Sequence, residues 1–495
     1  MFEMCGFKRL ALVLALCGVA KIATAATVQK GYPPLPSSPV TAVAAPATDP
    51  QVLKRLADLE AYVNNQPRAN DMAHTKLAGP GPGHNGWMMI CSALVLFMTL
   101  PGLAMFFGGM VRTKNVLSIL AQCLGITGVV TLLWWAVGYS LAFAPGNGVY
   151  GDLRWAFFNG VDAAPNLSYS AWISHDVFAM FELMFAIITP ALLIGATAER
   201  MTFKAMMAVA SLWLFLVYIP LAHMAWATDG LMAGILNPHA AVKAIDFAGG
   251  IPVEMASGWS ALALVLVLGR RRGYGKDLIA PHNLVLVMVG AGLLWVGWYG
   301  FNVGSALAAD AIASRAFVAT TLAAAAGSLA WPALEWLLQG KPTVLGFCSG
   351  IVGGLVAITP AAGFVDPTAA VIIGLAGGIF PYLAVTRLKL WLGYDDSLDT
   401  FGVHGVAGTV GMLLTGVFAK VSINPNIGVL LHAGRWQWLE QLKAIVLVAG
   451  GAFVMTFLIA HVVKFTIGLR PEAENEHQGL DLVDHGEAGY RYDEN

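Results

Sequence analysis

The sequence predicts an all-α polytopic membrane protein with eleven transmembrane helices, arranged as a five-plus-five inverted repeat plus a C-terminal helix. Three observations carry this. Hydrophobic residues fill 57% of the 495 positions and charged residues only 12%, too little polar surface to clothe a soluble domain of this length. Apolar runs long enough for a ~30 Å hydrocarbon core recur almost without pause. Two similar segments, Asp246-Phe247-Ala248-Gly249 and Asp399-Thr400-Phe401-Gly402, precede the fifth and tenth runs, and an inverted repeat would place such a pair around one central site. A net charge of -1 argues against nucleic-acid binding.

From the N-terminus, Lys8 and Arg9 lead an apolar stretch too short to span comfortably, followed by small residues around Ala23 and Ala25. This predicts a cleavable secretory signal over residues 1–26. Residues 27–84 then read as a periplasmic linker. Its first part is rich in Pro, Ala, Ser and Thr, and Val52, Leu56, Leu59 and Val63 form the stripe of a short amphipathic helix. Alone in water such a helix is marginal, so self-association and a position flat on the protein are equal readings. Pro80, Pro82 and the glycines around them separate it from a membrane domain over residues 85–468.

The spans are expected near 87–110, 116–143, 177–197, 202–226, 253–269, 282–304, 316–338, 345–361, 368–390, 401–419 and 443–468. An exported N-terminus and an odd number of spans leave the C-terminus, with a tail over 469–495, in the cytoplasm. Loop charge gives the same answer. Arg112, Lys114, Arg200, Lys204, Arg270, Arg271, Arg272, Lys276, Lys341, Arg387 and Lys389 all fall on the expected cytoplasmic side. Gly353-Gly354 and Gly374 to Gly378 suit close helix packing in lipid. Cys91, Cys123 and Cys348 lie in apolar runs without metal-like spacing and read as core.

Ionisable side chains inside spans are costly, so Glu182, Glu254, Glu335 and His404 stand out. Glu335, near a helix end, reads as structural. Glu254 and His404 each follow one of the two similar segments and would face each other at the centre, which points to proton or cation handling. Phe181 and Phe185 share a helix face, Trp226 ends the fourth span, and Phe301 and Ser305 follow Trp298 in the sixth. Such rings are usually core or interface belt. Together they could also replace the water around a small cation, at about 0.5–2 kcal/mol per ring face. No nucleophile elbow or phosphate loop suggests an enzyme, and neither a metal site nor a cofactor is expected.

The stretches IPLAHMAW (219–226), DFAGGIPVEMASG (246–258), GWYGFNVGSA (297–306), CSGIVGGLVAITP (348–360), FGVHGVAG (401–408) and LRPEAENEHQGLDLVDHGE (469–487) resemble the ammonium transporters of the Amt/Mep/Rh family, in order and with compatible spacing. The resemblance implies ammonium recruitment by Trp226, Phe185, Phe181 and Ser305, a gate of Phe185 and Phe301, and Asp246 as the residue that organises the recruitment site. It implies a pore relay in which His404 matches the second of two histidines. Glu254 stands where most relatives have the first, as it does in fungal members, and Glu182 stands where an amide is common.

Further implications are conduction of ammonia with the proton on a separate relay, a homotrimer in the bacterial inner membrane, and a regulatory tail packed under the neighbouring subunit. A PII signalling protein is the expected partner on the cytoplasmic face. An ammonium sensor with little flux and an ammonia gas channel are the competing readings.

Overall fold

The computed structural model describes residues 49–63, 81–431 and 436–490. The expected signal over 1–26 lies outside the described residues, as does most of the 27–84 linker. Within that linker, helix α1 (Pro50–Val63) falls largely in a unit of its own, with Val52, Leu53, Leu56 and Leu59 half exposed.

The described remainder consists of helices joined by loops, with two isolated bridges, Gly146 with Gly151 and Pro165 with Ser174, as its only β pairing. Among the described residues ten helices are long and apolar enough to cross a membrane. They are α2 (Pro82–Met110), α3 (Thr113–Phe143), α4 (His175–Thr197), α5 (Phe203–Trp226), α6 (Gly250–Leu268), α7 (Leu284–Val303), α8 (Ala311–Gln339), α10 (Pro367–Leu392), α11 (Phe401–Phe418) and α12 (Gln437–Thr466). The span expected at 345–361 is α9 (Val344–Ile358), of 15 residues. At 1.5 Å per residue it rises about 22 Å, less than a bilayer core, because the chain turns at Thr359 and Pro360.

Short polar residues start many of these helices. Thr202, Asn283, Asp310, Thr343 and Asp366 each accept a hydrogen bond from an amide in the first turn they precede, an acceptor worth about 1 kcal/mol where lipid supplies none. Glu335 acts similarly. It accepts from the Thr343 amide (2.8 Å), the Thr343 hydroxyl and Trp331 Nε1, which ties the end of α8 to the start of α9. Glycine sets the spacing between α9 and α10, since a methyl on either Gly353 or Gly377 would run into the carbonyl of the other. Cys91, Cys123 and Cys348 are buried and free.

Many of the basic loop residues expected on one side gather at one end of the bundle. Glu199 accepts from Arg112 Nε (2.9 Å) and Arg271 Nη1 (3.4 Å). Asp395 accepts from Arg271 Nη2 (2.8 Å) and lies 3.9 Å from Arg200 Nη1. The tail helices α13 (Ala473–Gln478) and α14 (Leu480–His485) close over this end. Asp481 accepts from the Ser118 amide (2.8 Å) and Asp484 from the Phe203 amide (2.9 Å), so two tail carboxylates cap α3 and α5. Asn115 accepts from the Leu480 amide (2.9 Å). These contacts join the tail to its own chain.

Burial pushes the Glu199 carboxyl up, but hydrogen bonds and charge from Arg112 and Arg271 outweigh it and hold it below the ordinary value of 4.5. Burial acts likewise on Asp395, where Arg271 and Arg200 hold the carboxyl below 3.8. Because both folded values are depressed, the network stabilises fully above the unfolded carboxylate range and loses that contribution as pH falls through and below about 4. Asp395→Ala leaves two buried guanidinium groups short of a partner and is expected to cost about 3–5 kcal/mol at pH 7. Thermal melts in detergent should show a lowered Tm at pH 7 and a narrower gap to wild type at about pH 3.

Candidate functional site

Helices α6 and α11 both begin beside buried carboxylates, and those carboxylates hold their first amides. Asp246 Oδ1 accepts from Gly249 N (2.9 Å) and Gly250 N (2.8 Å), and Oδ2 accepts from Ile251 N (2.7 Å). Asp396 Oδ2 accepts from Phe401 N (2.7 Å), the same interval along the chain as from Asp246 to Ile251. Asp246 precedes Glu254 by the same number of residues as Asp396 precedes His404. The counterpart of Asp246 is therefore Asp396, not the Asp399 suggested by the similar segments. Asp399 has φ 63° and pairs with Lys389 at 2.6 Å.

Each helix opens with a π-helical turn, Gly250–Met255 and Phe401–Val406, a widening common at functional sites. The two turns pack against each other. A methyl on Gly258 would strike the Gly405 backbone, and one on Gly408 would lie 2.8 Å from Glu254 Cβ. This reciprocal approach brings His404 Nδ1 to 2.8 Å from Glu254 Oε2, with the residues 4% and 1% exposed.

Two spaces flank this pair on the vestibule side. The larger, a vestibule of about 380 Å³, is walled by Trp226, Phe185, Ser305, Asp246, Phe247 and Glu182, among others. The smaller, about 10 Å³, is close to the room one water needs. Glu254 and His404 line it together with Phe107, Ile188, Trp298 and Phe301. Between the two lie Phe185 and Phe301, stacked with centroids 4.1 Å apart and planes at 25°. Phe185 faces the vestibule and Phe301 the chamber.

Trp226 meets Phe185 edge-on at 6.0 Å, and its Nε1 points to the Asp246 carbonyl at 3.3 Å. Ser305 donates to the Phe301 carbonyl (2.8 Å), which leaves the hydroxyl's lone pairs for the vestibule. Phe181 is not on the vestibule wall. It is 1% exposed, packs at 4.9 Å behind Phe185 and lies against Gly304, so it backs the Phe185 ring and stands off the vestibule wall where the resemblance had implied a recruitment residue. Asp396 lies outside the two similar segments, and its interval to His404 is the sequence signal that marks it. Trp298 is fixed by a hydrogen bond from Nε1 to Thr359 Oγ1 (2.9 Å) and packs 5.6 Å from Phe301. No group that could hold a metal is found among the described residues.

A helical bundle with a ring-sealed vestibule leading to a one-molecule chamber defines a multi-pass membrane transport protein. A model of the Ammonium Transporter Family matches residues 86–490. The chain is 45% identical over 411 residues to an ammonium transporter of Bacillus subtilis, covering 83% of this chain and 98% of that one. Its fold is similar to the crystal structure of Saccharomyces cerevisiae Mep2, with TM-score 0.72 and 35% identity over 79% of this chain and 88% of that one. A structure titled Sensor Amt Protein is also similar, with TM-score 0.72 and 28% identity over 81% and 98%. The chain belongs to the Ammonium Transporter Family.

Asp246→Asn keeps one carbonyl acceptor and loses the other, leaving at least one of the three amides unpaired. Hydrogen exchange should quicken at residues 249–251, with a stability loss of about 1–3 kcal/mol, while the protection of α8 and α9 is unchanged. Unaltered exchange at 249–251 would contradict the capping role.

Proposed function

We propose that the protein recruits ammonium in the vestibule, strips its water there, hands its proton to a separate relay through Glu254 and His404, and passes ammonia through the ring pair. The observation that carries this is the stacked Phe185–Phe301 pair dividing an aromatic, partly polar vestibule from a chamber of one-molecule size that holds an acid–base pair. In the vestibule, the Trp226 ring face and the Ser305 oxygen replace part of the cation's water, with Phe185 closing the floor. Asp246 holds the loop that carries the site.

Beyond the rings the walls are largely apolar. A bare ammonium there would lose its hydration without repayment, whereas neutral ammonia would lose little. The proton therefore needs its own path. Glu254 and His404 share a hydrogen bond, so the pair can take a proton on one side and release one on the other. The shed proton and the ammonia leave on the same side, and together they account for the ammonium that entered.

The loop-charge asymmetry supports a vestibule facing the periplasm, an N-terminus on that side and a cytoplasmic tail, in the bacterial inner membrane. The family resemblance supports a homotrimer with one pore per subunit, nitrogen uptake as the purpose, a signal peptide at residues 1–26, and a PII protein docking on the tail side. A sensor with little flux is the second reading, favoured by the likeness to the Sensor Amt Protein.

Purified protein on a solid-supported membrane should give an ammonium-evoked current that persists in wild type and collapses in Glu254→Gln. No current from folded wild type would turn the assignment to the sensor or to an ammonia gas channel. Trp226→Leu should raise the half-saturating ammonium concentration roughly 2- to 30-fold, as loss of one cation–π contact predicts. An unchanged concentration dependence would remove Trp226 from the recruitment site.

A further inference from the structure

The recruitment and relay residues leave one buried acid unused. Glu182, on α4, is 7% exposed and lines the vestibule, yet its Oε2 has no hydrogen-bond partner among the described residues. No lysine, arginine or histidine among them acts on its charge. The hydroxyls of Tyr139 on α3 and Tyr218 on α5, both 0% exposed, are likewise without a hydrogen-bond partner. The Tyr139 ring packs 6.4 Å from Phe178, one turn before Glu182 on α4. The two phenols flank Trp134, with ring centroids 5.9 and 6.5 Å from it, and the indole N–H is already committed to the Ala179 carbonyl at 3.0 Å.

Local backbone geometry marks the same place. Tyr139 directly follows the π turn Trp134–Gly138, and Tyr218 ends the π turn Leu214–Tyr218. Such widened turns re-aim side chains and recur at functional sites. Three polar atoms on three adjoining helices are therefore buried and unpaired, a costly arrangement for a fold to keep. Packing alone would place apolar side chains here.

We propose that Glu182, Tyr139 and Tyr218 form a second ammonium-binding niche, which opens from the vestibule ahead of the ring pair and is distinct from the Trp226–Ser305 site. A carboxylate only accepts, and each phenol oxygen can accept while its own O–H turns elsewhere, which suits ammonium with its four N–H donors and no acceptor. A potassium or sodium ion would need more oxygens than these three residues supply, whereas ammonium is held by a few directed hydrogen bonds. Its charge also compensates a carboxylate that would otherwise be isolated at membrane depth. The niche rests on the reading of the vestibule as an ammonium recruitment site, and adds a reservoir beside it.

Infrared difference spectra of reconstituted protein, perfused alternately with ammonium chloride and sodium chloride at constant pH, test this. The carboxyl bands should change with ammonium in wild type, in Glu254→Gln and in Trp226→Leu, and that change should vanish in Glu182→Gln. Glu182→Asp, which keeps a carboxyl, should move the band and not abolish it, which guards against a folding artefact. The double variant Tyr139→Phe, Tyr218→Phe should raise the ammonium concentration for half-maximal change roughly tenfold, the effect of losing two hydrogen bonds. A spectrum identical in Glu182→Gln and wild type, or an equal response to potassium, would overturn the niche. The readout is binding, so a band change without any current would support the niche while counting against conduction.

Discussion

Helices α6 and α11 each start with amides that no preceding turn can accept and that lipid cannot hydrate, and this constraint shapes the centre of the protein. Asp246 answers it three times over, and Asp396 answers it at the equivalent amide of the other repeat half. Fixing where each helix begins also fixes the direction of every later side chain. One residue of slip would rotate the helix by about 100° and carry Glu254 or His404 off the shared axis. Glycine at 258 and 408 then lets the two helices close until carboxyl and imidazole meet. The polar pair at the core thus depends on two carboxylates that never touch it.

The other buried acids can be ranked by how completely the fold answers them. Glu335 has amide, hydroxyl and indole donors, and its role ends with joining α8 to α9. Glu199 and Asp395 are met by guanidinium groups and hold the loops at the tail end together. Glu254 has one partner, itself titratable, so its charge state is free to change with that of His404. Glu182 has an oxygen with no hydrogen-bond partner among the described residues. Asp396 and Asp481 also keep one oxygen unpartnered, but their other oxygen caps a helix, whereas Glu182 caps nothing and lines the vestibule.

Much of this was legible in the chain. Hydropathy located the spans, because length and apolarity are nearly the whole requirement for crossing a bilayer, and only α9 fell short, for a turn at Thr359 and Pro360 that its apolar neighbours disguised. The aromatic and ionisable residues that line the vestibule and chamber stood out from the cost of placing them in lipid together with the family resemblance. What the sequence hid was register and depth. Asp399 offered the better string match, and only the hydrogen bond to the Phe401 amide identifies Asp396 as the second cap. Phe181 shares a face with Phe185, yet the close approach of Gly304 draws it behind the gate. Tyr139 and Tyr218 lie in apolar runs as ordinary core aromatics do, and the absence of hydroxyl partners exists only in three dimensions.

Replacing an imidazole with Glu254 changes what the central pair can do with charge. A carboxyl and an imidazole holding one proton beyond the imidazole's own N–H are neutral as a unit, and the contact between Oε2 and Nδ1 lets either group hold it. One more proton makes the pair cationic, and one fewer makes it anionic. The walls around the pair are largely apolar, so either charged state is costly there. A pair that returns to neutrality accepts a proton from one side only as it yields one to the other. The same apolar surroundings would thus favour passing protons on over storing them.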